Sequence, residues 1–232
     1  MTGFLEISGP SRPPLAGGAP GQLVVLLHGV GADGNDLIGL ASEWARALPH
    51  AEFLAPDAPF DCDLAPFGRQ WFSLSDRDPA LMAARLRAVA PILDAFIDRA
   101  LTERALTDRQ LALVGFSQGA MVALHLAFRR AQACAAVLGY SGALLGPEVL
   151  AAEMTAAPPV LLVHGDADEV VPFQAMAAAE AGLRAAGVAV RTERRHGLGH
   201  GIDGEGLRQG VRFLVDAFAR AGSQAAVAQS MT

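Results

Sequence analysis

Three short runs, Leu23–Leu27, Gln110–Gly115 and Val160–His164, are almost uninterrupted valine and leucine, and they constrain the fold more than any other feature of the chain. A strand with one face in water alternates apolar and polar side chains, so runs without alternation predict strands buried on both faces of a parallel sheet. Glu52–Ala55, Ala135–Tyr140 and Val188–Glu193 are expected to complete that sheet. Helices must then cover both of its faces. Asn35–Leu48 places Leu37, Leu40, Trp44 and Leu48 at helical spacing and ends at Pro49. Asp78 and Pro79 read as the N-cap and first position of a helix striped with Leu86, Val89, Leu93 and Ile97, which Pro91 is expected to kink or break.

Gln118–Arg130 reads as a helix that follows a strand directly. Pro172 opens the next helix and Gly187 closes it as a left-handed cap. Asp203 caps the last, with Ile202 and Leu207 as a hydrophobic staple and Leu207, Val211, Leu214 and Phe218 as its inner stripe. The lead-in through residue 21, rich in glycine and proline, is expected to be irregular, and the tail from Gly222 to fray. No repeat or linker divides the rest. The alternation of strands and helices predicts one α/β domain over residues 1–232, doubly wound, with the loops after successive strands gathered along one sheet edge.

The loop after the first strand, HGVGADG, fits GxGxxG at Gly29, Gly31 and Gly34. A dinucleotide site would need an acid near the end of the second strand to hold the ribose. Glu52 stands at that strand's start and Asp57 beyond its end between prolines, so an NAD-binding oxidoreductase is the lesser reading. The same loop can instead turn the chain or lend a backbone N–H to a neighbouring site.

Ser117 sits in GFSQG, a GxSxG sequence between a buried strand and a helix. A sharp strand-to-helix turn presses neighbouring chain close, so only small residues fit two places before and after the serine, as Gly115 and Gly119 do. The N–H of Gln118 opens the helix, where the dipole favours negative charge. A serine hydroxyl needs an imidazole base, and the imidazole needs a carboxylate to fix its tautomer. The strand VLLVHG runs into DADEVVP, which offers Asp166 and Asp168 without separating them. His200 follows in a glycine-rich loop before the last helix, and Ser, Asp, His is the order of α/β hydrolases. His28 and His164 are expected to satisfy backbone or loop groups, and His50 and His125 to be structural or exposed. His196 and His200 have HxxxH spacing, but Gly197 and Gly199 argue against the helix a zinc site would need.

Composition removes other chemistries. All 18 basic residues are arginine, which excludes a P-loop, lysine Schiff bases and SxxK hydrolases. A net charge of −6 offers no polybasic patch for nucleic acid or an anionic membrane surface. Cys62 and Cys134 form no CxxC and are expected to be free thiols. No secretory pattern opens the chain and no apolar run approaches the roughly 20 residues of a membrane span, so the expectation is a cytoplasmic protein without a stable membrane anchor.

Taken together, LLHGVGADG, GRQWF (68–72), GFSQGA, HGDADEVVP and GLGHGI resemble the bacterial carboxylesterase/phospholipase family related to acyl-protein thioesterases, from about Leu23 to Phe218. The resemblance implies a compact α/β hydrolase with little or no cap, acting on short-chain esters, thioesters or lysophospholipids without cofactor or metal. It assigns the nucleophile to Ser117, the base to His200, the acid to Asp168 in preference to Asp166, and the oxyanion donors to the N–H groups of Val30 and Gln118. It also implies an acyl pocket that includes Trp71, Phe72 and Val171, and it makes a homodimer plausible. His196 departs from the pattern, where a less polar residue is expected, and is read as facing water. A hydrolase-like binding protein without catalysis would predict a broken triad, and this sequence presents an intact one.

Overall fold

A sheet with apolar side chains on both faces needs helices above and below it. The computed structural model, which describes residues 6–230 and side chains as far as residue 223, has that arrangement. In chain order the elements are β1 (Ser11–Arg12), β2 (Gln22–Leu27), α1 (Gly34–Ile38), α2 (Leu40–Trp44), β3 (Ala51–Leu54), β4 (Phe60–Asp61) and β5 (Arg69–Gln70). There follow α3 (Pro79–Glu103), β6 (Leu111–Phe116), α4 (Gln118–Ala127), β7 (Ala136–Tyr140), α5 (Pro147–Glu153), β8 (Val160–Gly165), α6 (Gln174–Ala185), β9 (Val190–Arg195) and α7 (Gly204–Ser230). Seven strands form one sheet in the order β1-β3-β2-β6-β7-β8-β9. All its pairings are parallel except that of β1 with β3.

Alternate residues of each apolar run enter opposite layers. Leu23, Val25, Leu27, Leu111, Leu113, Val160 and Leu162 pack towards α3, α4 and α6. Val24, Leu26, Ala112, Val114, Leu161 and Val163 pack towards Leu37 and Trp44 on one side and Phe213, Leu214 and Phe218 of α7 on the other. Because both layers are dry, neither set of positions tolerates polarity, and the alternation that marks a half-exposed strand disappears from the sequence.

Several expectations are corrected. The helix over Asn35–Leu48 is two short helices that meet at Gly39, and the first begins at Gly34 under an Asp33 cap. Pro91 does not break α3, which runs unbroken from Pro79 to Glu103. A proline inside a helix costs ~3 kcal/mol, but each large side chain buried on the stripe returns about 1.5–3 kcal/mol. Leu86, Val89, Leu93 and Ile97 lie on both sides of Pro91, which itself faces solvent. α4 ends at Ala127, three residues short of Arg130.

β9 starts at Val190 because Val188 belongs to the end of α6: Gly187 takes φ +78°, and the Val188 N–H donates to Leu183 O at 2.9 Å. The inner stripe of α7 is turned by one position, so Phe213 and Ala217 join Leu214 and Phe218 while Leu207 and Val211 are half-buried. The cause is glycine, which an apolar pattern does not register. A Cβ on Gly210 would stand 2.1 Å from the Tyr140 hydroxyl oxygen, and that hydroxyl donates to Gly206 O at 3.0 Å. The expected Asp203 cap is present, with its carboxylate accepting from Gly206 N at 2.8 Å.

The lead-in is not wholly irregular, since Ser11 and Arg12 pair with Leu54 and Phe53. Residues 1–5 lie outside the described residues. The tail expected to fray from Gly222 instead continues α7 to Ser230, through alanines of high helix propensity, and residues 231–232 lie outside the described residues. The hairpin of β4 and β5 was not anticipated, because two-residue strands carry no periodicity.

Candidate active site

Ser117 occupies the turn between β6 and α4 with φ 54° and ψ −117°, a left-handed backbone that a non-glycine residue adopts only under constraint. The constraint is close packing. A Cβ on Gly115 would lie 2.3 Å from the Gly119 carbonyl carbon, and one on Gly119 would lie 1.9 Å from Leu27 O. The Ser117 N–H is held by Tyr140 O at 2.9 Å. The turn therefore brings the first residues of α4 against the end of β2 and leaves the serine side chain at the sheet edge.

There the hydroxyl meets an imidazole. Ser117 Oγ lies 3.0 Å from His200 Nε2, and His200 Nδ1 lies 2.7 Å from Asp168 Oδ2. The Phe116 ring packs against the imidazole with centroids 4.8 Å apart. Asp168 Oδ1 accepts from Val170 N and Val171 N, both at 2.9 Å, which is where Val171 stands relative to the site. Burial works against ionisation of Asp168, but the His200 hydrogen bond and the two backbone donors outweigh it and hold the carboxyl below its ordinary pKa. The two candidate acids are separated by the geometry: Asp166 meets His196 Nδ1 at 3.0 Å, Arg194 and the Gly197 N–H, away from Ser117. His196 faces water, its side chain 79% exposed.

The two expected backbone donors are placed by separate elements. Among the described residues neither Val30 N nor Gln118 N has an acceptor. Gly31 N, next to Val30, is already taken by Arg69 O at 2.8 Å, and Arg69 N returns a bond to Ala32 O at 2.8 Å. The β4–β5 hairpin thereby pins the loop after β2. Gly68 is required at this approach, since a Cβ there would lie 2.0 Å from Gly31 O. Arg69 adds bonds to Ala58 O at 2.9 Å and Pro59 O at 2.7 Å and an ion pair with Asp61.

Trp71 and Phe72, read as pocket residues, are buried within the layer beneath the site. Their backbone is gripped by the Gln118 side chain, which accepts from Trp71 N at 2.9 Å and donates to Phe72 O at 2.7 Å. Sequence reasoning gave Gln118 a backbone role alone and missed this one. Its total burial in a helix's first turn, beside a conspicuous aromatic pair, is a signal that only the fold reveals. His28 is held between Ala58 N, donating to its Nε2 at 3.0 Å, and Gly29 O at 2.7 Å from its Nδ1, while its own carbonyl accepts from Trp71 Nε1 at 3.0 Å. Burial lowers its pKa, consistent with a neutral ring that accepts at Nε2.

The dinucleotide reading of the glycine loop meets a physical obstacle. The N-terminus of α1, where a pyrophosphate would bind, already faces two carboxylates: Asp57 accepts from Gly34 N and Asp33 from Asn35 N, both at 2.8 Å. Glu52, the other candidate acid, is paired with Arg104.

A family model described as phospholipase/carboxylesterase matches residues 16–216. This chain belongs to the phospholipase/carboxylesterase family. Its curated relatives include esterase YpfH of Escherichia coli strain K12, 27% identical over 194 residues that cover 83% of this chain and 82% of YpfH. Acyl-protein thioesterase 1 homolog 1 of Dictyostelium discoideum is 25% identical over 205 residues, covering 82% of this chain and 88% of that protein. Among solved structures, esterase PE8 superposes with a TM-score of 0.87 at 40% identity, over 91% of this chain and 99% of that one. The chain is thus a hydrolase of the carboxylesterase and acyl-protein thioesterase type, on the α/β-hydrolase fold expected from its sequence. Among the described residues, no helix of this family member is long and apolar enough to cross a membrane.

Proposed function

We propose that this hydrolase is a serine carboxylesterase that cleaves short-chain carboxylic esters through an acyl-enzyme. The observation that carries the reading is the unbroken chain from Ser117 Oγ to His200 Nε2, and from His200 Nδ1 to Asp168 Oδ2, at 3.0 and 2.7 Å. His200 takes the Ser117 proton as Oγ attacks the ester carbonyl carbon, and Asp168 fixes the ring with its proton on Nδ1. The carbonyl electron pair moves to oxygen, where Val30 N–H and Gln118 N–H receive it, each worth ~3 kcal/mol by the scale of single-donor removals. Collapse breaks the bond to the leaving alcohol, which departs with the proton held by His200. Water, deprotonated by the same imidazole, then cleaves the acyl-enzyme, releasing the acid and restoring the Ser117 hydroxyl.

No step calls for a cofactor. Thioesters and lysophospholipids undergo the same acyl transfer and differ in the shape of the groups that must be seated. The buried Trp71 and Phe72 support a preference for small acyl groups, because both rings are committed to packing beneath the site. The test is labelling with a fluorophosphonate probe together with turnover of p-nitrophenyl acetate and butyrate, in wild type and Ser117→Ala. Labelling and turnover by wild type that vanish in the variant are expected. A wild type that neither labels nor exceeds background hydrolysis ends the reading, and so does a Ser117→Ala variant that retains full activity.

A further inference from the structure

Asp168 has a second imidazole beside it that the orienting of His200 does not call for. Besides Val170 N, Val171 N and His200, the Nε2 of His164 stands 3.3 Å from Asp168 Oδ2. His164 is buried at the end of β8, on the face that Val160 and Leu162 share, and the reaction as written makes no use of it. An aliphatic side chain would suit that face without the desolvation cost of an imidazole, so its polar atoms must account for its presence. Nε2 lies 2.9 Å from Val171 O and faces the carboxylate as well. Both neighbours accept and neither donates, so the hydrogen resides on Nε2. The Phe173 ring closes the other side edge-on, its centroid 6.0 Å away.

We propose that His164 is a positioning residue for the acid, donating to Val171 O and so holding closed the Asp168–Val171 turn that sets the carboxylate in the plane that serves His200. The inference rests on the serine-hydrolase reading above. The mechanical link is short. Val171 supplies its carbonyl to His164 and its N–H to Asp168, so a turn that loses the first contact moves the second. The Asp168 side chain is wholly buried, and water is not at hand to replace a missing donor. A residue that only filled space at the end of β8 would be replaceable by leucine without affecting the chemistry.

The experiment uses the full chain labelled with 15N-histidine, with His164→Leu and His164→Gln beside wild type. Glutamine carries an amide N–H at nearly the reach of Nε2. In wild type the expected spectrum places the His164 proton on Nε2. His164→Leu is expected to lower kcat on p-nitrophenyl butyrate by about 10- to 100-fold, by analogy with the loss of an outer partner of a metal ligand. KM should stay within about twofold, since substrate binding is untouched. The low-field proton between His200 and Asp168 should shift or broaden, and His164→Gln should recover most of kcat. A wild-type His164 protonated only at Nδ1 overturns the proposal, and that observation does not depend on either variant folding. Two variants at wild-type kcat overturn it too, as does a Gln variant no better than Leu. Failure of wild type to react with the fluorophosphonate overturns instead the hydrolase reading on which it rests.

Discussion

Asp166 and Asp168 flank Ala167, His196 and His200 flank the turn GLG, and the two pairs meet in parallel across the same sheet edge. Asp166 meets His196 at 3.0 Å and Asp168 meets His200 at 2.7 Å. By residue type the two pairs are identical. Their environments differ, with His196 79% exposed and His200 17%, the Asp166 side chain 14% exposed and shared with Arg194, and Asp168 fully covered and closed off by its own turn. An exposed pair on the sheet edge is screened and contributes little. A buried pair that ends on a serine hydroxyl can move a proton. On the proposed reading, a carboxylate and an imidazole alone do not make the chemistry, and burial and a third partner do.

The largest effect expected from this contrast separates the two histidines. His200→Ala should lose about 10^6-fold in kcat, the scale found when a triad base is removed. His196→Ala should stay within about threefold of wild type and within roughly 0.5 kcal/mol in stability, as surface substitutions do. Steady-state turnover of p-nitrophenyl butyrate and urea unfolding read both, and a His196→Ala loss approaching that of His200→Ala would erase the distinction.

The same contrast between packed and open chain extends to glycine. Gly119→Ala drives a Cβ to 1.9 Å from Leu27 O, and Gly201→Ala places one in open space. The first should cost more than about 4 kcal/mol and the second less than about 0.5 kcal/mol. Thermal melts of the two variants measure it, and a folded Gly119→Ala near wild-type stability would show that the elbow is not the tight turn described.

A smaller effect tests burial without a carboxylate in hydrogen-bond reach. His125, on α4, has its pKa lowered to about 4 by burial and then by Arg129 and Arg87. Its ordinary pKa is about 6.5, so between those values the unfolded chain binds a proton that the folded chain does not. Stability is therefore expected to fall as pH drops from about 6.5 towards 4, by up to about 3 kcal/mol from this residue, and to level off in that contribution below. His28, also lowered, adds in the same direction. Asp168, held below the ordinary carboxylate range, contributes stability that is lost only at lower pH, as its folded pKa is crossed. Urea midpoints at pH 7 and pH 4.5 should show a shallower loss in His125→Leu than in wild type, and equal slopes would count against the buried neutral ring.

The parts of this architecture that were legible in the sequence are those where physics admits few residue types. Double-sided burial writes Val and Leu without alternation into β2, β6 and β8. The close approach at the elbow demands Gly115 and Gly119, and an alcohol that must be activated implies a histidine and an acid further on. Spacing could not choose between Asp166 and Asp168, because the choice depends on which side of the turn is dry. The β4–β5 hairpin was illegible because its pairing is two residues long, and with it went the tasks of Gly68 and Arg69 in fixing the loop of Val30. Pro91 leaves α3 unbroken because the buried stripe on both sides prevails over its local preference. The Gln118 amide could not be foreseen, since its partners at Trp71 and Phe72 lie 47 and 46 residues away in the chain.

The buried pair is expected to act and the exposed pair not, and the direct measurement is kcat/KM of Asp168→Asn against Asp166→Asn on one ester. Asp168→Asn should fall about 10^4-fold, because an amide that donates to His200 Nδ1 leaves the ring in the wrong tautomer. Asp166→Asn should remain within about threefold of wild type, as expected for an exposed pair. A loss of activity in Asp166→Asn with Asp168→Asn spared would contradict the account.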